Sequence, residues 1–153
     1  MKRLIVGHNT WFFANKPVIV ATGVVGGPFE AAGKLSQDYD RLHDDIELQQ
    51  DSFEKAQQKL LEEACEIALN KAGLMKEQVD YFIGGDLINQ ITPTTFAAKT
   101  LGIPYLGIFS ACATSMQGLT LAALIINSQG ANYVLTGTAS HNAATERQFR
   151  YPN

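Results

Sequence analysis

Cysteine, histidine and tryptophan are scarce in this chain, with two, three and one among 153 residues. Two cysteines close at most one bridge, which excludes a disulfide-stapled scaffold, and the thiols are expected to stay reduced in a cytosolic compartment. No Cys or His residues fall at zinc-ligand spacing, so no metal and no cofactor are expected. An excess of positive charge is also missing. Lys plus Arg number 12 against 15 Asp plus Glu, a formal net charge of −3, so nothing strongly basic is available to neutralise a nucleic-acid backbone. The longest apolar run, residues 119–126, is interrupted by Thr120 and falls far short of the ~20 residues that cross a bilayer. Residues 1–8 are too short in their apolar part to be expected as a secretory signal. Internal repeats and long linkers do not occur.

Apolar residues make up 46% of the chain and charged residues 18%, a balance that argues against disorder. At this length roughly 70% of the unfolded surface can be buried, so one domain with a substantial core is expected. Residues 17–25 (PVIVATGVV) form a β-branched run ended by Gly26-Gly27-Pro28, the pattern of a first strand and a breaker. Residues 29–50 are polar. Asp38, Asp40, Asp44, Asp45, Glu47 and Asp51 face a single Arg41 there, which reads as a solvated excursion or as a metal or partner site. The central Gly and final Glu of a Ca²⁺ loop are missing.

Residues 51–72 give the clearest helix, with Phe53, Ala56, Leu60, Ala64, Ile67 and Ala68 on one face. Asp51 or Ser52 can cap it, Glu54 can complete a capping box and Gly73 stops it. Cys65, on this helix, reads as a packed, inert thiol. A second strand is expected over 79–83. A helix follows from Thr92-Pro93 to Leu101, with Thr92 as cap, and a third strand over 105–109. The helix over 115–129 is slimmed by Gly118, Ala122 and Ala123 as if buried on most sides. A fourth strand covers 133–138, and residues 139–153 form a polar tail. The order β-α-β-α-β-α-β with short connections predicts an α/β fold, a mainly parallel sheet with helices on both faces. Ligands on such sheets sit beyond the carboxyl ends of the strands. That directs attention to Gly26-Gly27 and to residues 86–90, 110–115 and 139–142.

Cys112 is the most informative of these residues. It follows a strand and opens an apolar helix, where helix-terminal amides favour a thiolate. Ala111 and Ala113 leave the sulfur approachable. The residue reads either as a nucleophile or as a buried structural thiol. Of the three histidines, His8 and His43 read as surface residues, whereas His141 follows the fourth strand and can share a face with Cys112. Arg147 and Arg150 lie in the tail. Either Glu146 pairs with one of them and Phe149 and Tyr151 pack on a partner surface, or an Arg meets an anionic ligand.

Together these residues resemble the thiolase superfamily, whose first half has this order of elements and a nucleophilic Cys in an elbow such as Ser110-Ala111-Cys112-Ala113-Thr114-Ser115. More narrowly, the chain resembles the N-terminal half of the stage V sporulation protein AD family of endospore-forming bacteria. The matching pieces are Gly84-Gly85-Asp86-Leu87-Ile88-Asn89-Gln90, the elbow with Met116, and Ser140-His141-Asn142-Ala143-Ala144-Thr145-Glu146-Arg147-Gln148-Phe149-Arg150-Tyr151-Pro152. The segment from Asn9-Thr10-Trp11 to Gly27-Pro28 fits too, so the similarity covers nearly the whole chain. The elbow is shared by many condensing enzymes; the other strings are more specific.

The resemblance implies a thiolase-like half-domain over 1–153, incomplete relative to a full member, which has two similar halves about a pseudo-twofold axis. A fragment, a split gene product or a truncated chain is therefore expected. Catalytic thiolases take their His, and often an Asn or second Cys, from the missing half, so a non-enzymatic protein is expected. The resemblance further implies binding of dipicolinic acid (pyridine-2,6-dicarboxylate), with Ca²⁺ kept open by Asp86 and the acidic excursion, and its uptake into the developing spore, with an effect on germination. Candidate ligand-binding residues are Cys112, His141, Asn142, Asn89, Arg147 and Arg150. Membrane proteins of the same sporulation operon are expected partners. The implied location is cytoplasmic or forespore, peripheral to the spore inner membrane through those partners. An exposed apolar face is expected where a second half, or a second copy in a homo-oligomer, docks. Two alternatives stand beside this reading: an acyltransferase with Cys112 as nucleophile, and a soluble structural subunit docked on a membrane channel.

Overall fold

The computed structural model describes residues 4–150; Tyr151 and Pro152 of the C-terminal string lie outside them. In chain order the strands are β1 (Ile5–Val6), β2 (Thr10–Trp11), β3 (Val25–Gly26), β4 (Arg41–Leu42), β5 (Tyr81–Gly85), β6 (Tyr105–Gly107) and β7 (Val134–Thr138). The helices are α1 (Pro28–Ala31), α2 (Phe53–Ala72), α3 (Thr92–Leu101), α4 (Thr114–Asn127) and α5 (Asn142–Arg150).

The main sheet has the order β6-β5-β7 and is parallel throughout. Phe82 sits between Tyr105 and Leu135 in register, and Gly84 between Gly107 and Gly137. The three carboxyl ends therefore lie along one edge. Side chains alternate across a strand, and β7 shows which helix covers which face. A Cβ at Gly137 would meet Leu61 and Cys65 of α2, whereas Gly118 of α4 lies against Thr136. The sheet is thus enclosed by α2 and α3 on one side and α4 on the other, the expected arrangement of helices on both faces.

The α2 side holds the core. Leu61, Cys65, Leu69, Val79, Phe82, Ala97, Ala98, Leu101 and Ile103 form one buried cluster, with the Phe82 and Tyr105 rings stacked at 5.5 Å. Ser52 caps α2 by accepting from the Lys55 N–H at 3.3 Å, and Gly73 ends it at φ 66°. Asp51 instead pairs with the Lys55 ammonium, and Glu54 is drawn to Arg147, so the capping box does not form. The buried residues of α2 are Ala56, Gln57, Leu61, Cys65 and Leu69; Ala56 is buried as expected, whereas Leu60, Ala64 and Ile67 are only partly buried and a polar glutamine takes a core position. Cys65 is a packed thiol as expected. Burial, followed by the nearby Glu66 and Glu62 carboxylates, pushes its pKa up to about 12.

Three expectations are corrected. Residues 17–24 are not a strand; only Val25 and Gly26 pair, in parallel with β4. A β-branched sequence becomes a strand only where it meets a ladder, and residues 17–24 pair with none of the described strands. Val18, Ile19 and Val20 lie exposed. The segment is instead tied to α2: Lys71 donates to the Thr22 carbonyl at 3.0 Å, and Gly23 lies against the Ala64 and Ala68 backbone with no room for a Cβ. Asp40 accepts from the Val24 N–H at 2.9 Å and pairs with Lys71 at 2.5 Å. These contacts, that to Lys71 first, hold the Asp40 carboxyl below the usual carboxylate range.

The second correction concerns α4, which is not buried on most sides. Thr114, Gly118 and Ala122 face inward, while Met116 is 64% exposed and Leu119 36%. Its small residues serve close approach to the sheet on one side only. The third concerns the polar tail, most of which is helix α5. Its Ala, Glu, Gln and Arg residues are good helix formers, and His141 supplies the cap.

Candidate functional site

At the carboxyl edge, β6 runs into the elbow. Ser110 leads to Ala111 at φ 46°, a short 3₁₀ turn covers Ala111–Ala113, and α4 begins at Thr114. A non-glycine residue with positive φ is strained. Several local bonds hold it: the Ala113 N–H donates to the Ser110 carbonyl at 2.9 Å, and the buried Thr114 hydroxyl donates to the Ala111 carbonyl at 2.8 Å. The Ser110 hydroxyl also donates to the Gln117 side chain. The turn leaves Cys112 exposed at the head of α4 in this chain. Gly85 lets the edge close up, because a Cβ there would run into the Ile108 carbonyl and the Thr114 methyl.

The loop after β5 borders the same edge. Asp86 is buried; its carboxylate accepts from the Ile88 N–H at 2.7 Å, the Thr94 N–H at 2.9 Å and the Thr94 hydroxyl at 2.5 Å. Asp86 thus replaces Thr92, which was expected to cap α3; Thr92 is the first helical residue and its hydroxyl donates to the Asn89 carbonyl at 3.0 Å. Gln90 and Ile91 both adopt left-handed conformations, at φ 58° and 47°. A Cβ at Gly107 would touch the Ile91 side chain, so this loop abuts the strand that carries the elbow. Asn89 is exposed, and its N–H donates to the Gln148 side chain of α5 at 3.1 Å.

The third contributor follows β7. His141 is buried, stacked on Phe53 at 5.2 Å, with Nε2 2.7 Å from the Ile46 carbonyl and Nδ1 accepting from the Ala144 N–H at 3.4 Å. A carbonyl only accepts and an N–H only donates, so these contacts fit the tautomer with its proton on Nε2. Both nitrogens are therefore engaged by the protein's own backbone. Asn142 is exposed at the start of α5. Arg147 pairs with Glu54 at 2.6 Å and Arg150 with Glu146 at 3.0 Å, and both arginine side chains remain more than half exposed. The expected pairing of Glu146 with an arginine is therefore present.

The Cys112 elbow, the Asn89 loop and α5 thus all follow carboxyl ends of the sheet, and Asn89 is bonded to Gln148 of α5. Arg147 is tied to the N-terminal turn of α2 by Glu54. His43 is not the free surface residue expected; it is half-buried and bonded to Glu63 at 2.6 Å, which Arg41 also reaches at 3.2 Å. His8 is exposed. Among the described residues no three His, Cys, Asp or Glu side chains are gathered as for a metal ion, and no helix is long and apolar enough to cross a membrane. Sequence reasoning missed Gln57, Gln148 and the strain at Ala111. Gln57 carried a signal, a polar residue four before Leu61 on the buried stripe of an amphipathic helix.

A parallel sheet between helices, with a cysteine on the strained turn from strand to helix, defines a thiolase-like protein. Solved structures agree. The chain is similar to 3-oxoacyl-[acyl-carrier-protein] synthase III from Aquifex aeolicus VF5, with a TM-score of 0.52 and 25% identity over 57% of this chain and 30% of that one. It is also similar in fold to Xanthomonas campestris OleA H285D, with a TM-score of 0.55 and 18% identity over 78% of this chain and 42% of that one. Residues 7–153 match the family described as Stage V sporulation protein AD (SpoVAD), and the chain belongs to that family. It is 38% identical to Stage V sporulation protein AD of Bacillus subtilis (strain 168) over 148 residues, 97% of this chain and 44% of that protein. The chain therefore spans less than half the length of this curated relative.

Proposed function

We propose that the chain is the site-bearing half of a non-enzymatic sporulation protein that binds dipicolinate and aids its passage into the developing spore. The observation that carries this reading is that the exposed Cys112 elbow, the Asn89 loop and α5 all follow carboxyl ends of one parallel sheet, with Asn89 bonded to Gln148 of α5. Dipicolinate is a flat dianion. It needs cationic or amide donors and an apolar wall. Arg147 and Arg150 are exposed cations, each with one carboxylate partner, and a dianion competes well for a planar guanidinium. Asn89 and Asn142 add amides. Cys112 lines the site without reacting, and His141 supports it by fixing the start of α5. The shallow groove on the solvent face of α2 is a poorer site, since Glu62, Glu63 and Glu66 outnumber Lys55 and Lys59.

The apolar outer face of α4, with Met116, Leu119 and Phe109 before it, is the surface for a second thiolase-like half or a second copy. Membrane proteins of the same operon would bring the protein to the spore inner membrane and take over the ligand there, with or without Ca²⁺. Calorimetric titration of dipicolinate into the full-length protein, beside Cys112→Ala, tests the central claim. Saturable one-site binding, weakened in the variant, is expected; no heat with either protein would sink it.

One observation favours a second reading. The likeness to 3-oxoacyl-[acyl-carrier-protein] synthase III and the exposed thiol at the head of α4 suit an acyltransferase. The Cys112 thiolate would attack a thioester carbonyl and release the substrate thiol, leaving an acyl-enzyme. Mass spectrometry after incubation with an acyl-thioester decides this; an unchanged mass at a competent pH removes it.

A further inference from the structure

We propose that Asp86 is a positioning residue, whose carboxylate, shared with Thr94, staples the two ends of the loop after β5 and so sets Asn89 and Gln90 on the site edge. One oxygen, Oδ1, accepts from the Ile88 N–H at 2.7 Å; the other, Oδ2, accepts from both the N–H and the hydroxyl of Thr94 at 2.9 and 2.5 Å. The two oxygens thus grip opposite ends of the loop. Between them lie Gln90 and Ile91, two successive residues in the left-handed region. Such a conformation is strongly disfavoured for a β-branched side chain and persists only where its surroundings over-determine it. A buried carboxylate is well suited to that task, because hydrogen bonds to an ionised acceptor in a dry setting are strong and directional.

No salt bridge reaches Asp86 among the described residues, so its buried charge is met by these three donors alone. Its side chain is 1% exposed, and that of Thr94 is completely buried. A residue there only to fill space would be apolar; a residue only to cap α3 would not also need the Ile88 N–H. The bond from the Asn89 N–H to Gln148 carries the loop's position on to α5. The Ile91 side chain carries it to Gly107 beneath the elbow. Asp86 therefore couples the three parts of the edge without touching a ligand. The effect on dipicolinate rests on the reading given above; the effect on the loop does not.

The test compares wild-type full-length protein with Thr94→Val, Thr94→Ser and Asp86→Asn by residue-resolved amide exchange and by dipicolinate calorimetry. Thr94→Val removes only the hydroxyl, and Thr94→Ser restores it. The expected result is that Thr94→Val speeds exchange at residues 88, 89 and 91 by about tenfold while the amides of α2 and β5 keep their rates, that Thr94→Ser recovers wild-type behaviour, and that dipicolinate affinity falls and recovers in parallel. Asp86→Asn should act in the same direction and more strongly; if it fails to fold, the two Thr94 variants still decide. Unchanged loop exchange in Thr94→Val, or a uniform rise shared with the core, overturns the staple. A freed loop with unaltered affinity overturns its positioning role. Absence of binding by the wild type, with the loop effect intact, supports the staple and removes the dipicolinate reading instead.

Discussion

Replacing Gln57 by leucine tests how the core and the site edge are joined. Gln57 is completely buried on the stripe of α2 that faces the sheet. Its Oε1 accepts from the His141 N–H at 3.1 Å, and its Nε2 donates to the Ala139 carbonyl at 3.3 Å. Leucine occupies a similar volume but leaves one donor and one acceptor inside the protein without partners. Each such group costs ~1–3 kcal/mol. Extra apolar burial by leucine offsets ~1–2 kcal/mol of the total, so a net loss of ~1–4 kcal/mol is expected. For a domain of this size that lowers Tm by about 3–12 °C. Thermal and urea unfolding measure the loss, and amide exchange locates it: residues 139–145 should open before the sheet does. Gln57→Glu sharpens the test. A carboxylate there would face the Ala139 carbonyl, so burial and repulsion raise its pKa above the ordinary glutamate value. Its stability is then greatest at low pH and is lost as pH rises through the raised value. A loss below ~0.5 kcal/mol in Gln57→Leu, with unaltered exchange at His141, would refute the reasoning, since that is the range of an unconnected surface change.

Three further outcomes are expected. Cys65 has its pKa raised from 9.0 to about 12 by burial, so the unfolded state ionises first; stability should be flat below pH 9 and fall by ~4 kcal/mol by pH 12, and alkaline urea titrations of Cys65→Ala should lack that decline. Gly85→Ala drives a methyl into the Ile108 carbonyl and should cost ~1–3 kcal/mol in chemical denaturation, with the rate of Cys112 alkylation altered as the elbow shifts. The Asp40 carboxyl is held below its ordinary value of 3.8 by Lys71 and then by the Val24 N–H; the tie it makes is present above that value and lost as pH falls through the lowered one. Limited proteolysis should therefore cut residues 17–24 faster in acid, and Asp40→Asn should show the same sensitivity at neutral pH.

The strand and helix order from β5 to β7 was readable because each element is local and well punctuated: Gly73, Gly84-Gly85 and Gly102 mark ends that a single stretch of chain determines. The segment 17–24 was misread because strand formation is not local. Its composition is that of a strand, yet pairing depends on what the chain meets in space, and here Thr22 and Gly23 are held on α2 rather than along an edge of the sheet. The Cys112 elbow was found from small residues between a strand and an apolar helix. His141 looked like a free strand-end imidazole because nothing near it in sequence reveals Ile46, 95 residues away, as its hydrogen-bond partner. Helix α5 was passed over because its cap is a histidine, outside the usual Ser, Thr, Asp and Asn.

The inward stripe of α2 changes character along its length, and that gradient orders the molecule. Toward its C-terminus Leu61, Cys65 and Leu69 are apolar and lie in the core beneath the sheet. Toward its N-terminus Phe53 stacks on His141, Glu54 holds Arg147, and Gln57 satisfies the backbone on either side of Ser140. The helix is therefore anchored by burial at one end, where geometry tolerates small adjustment, and by directed hydrogen bonds at the other, where it does not. The polar end sits where β7 gives way to α5, the part of the edge that presents Asn142 and Arg147. A more apolar N-terminal turn would bury more surface, but it would leave the start of α5 without directional support. The glutamine at a core position is therefore explained by the edge it organises, and changes at Glu54 or Gln57 should disturb α5 while changes at Leu61 or Leu69 disturb the whole fold.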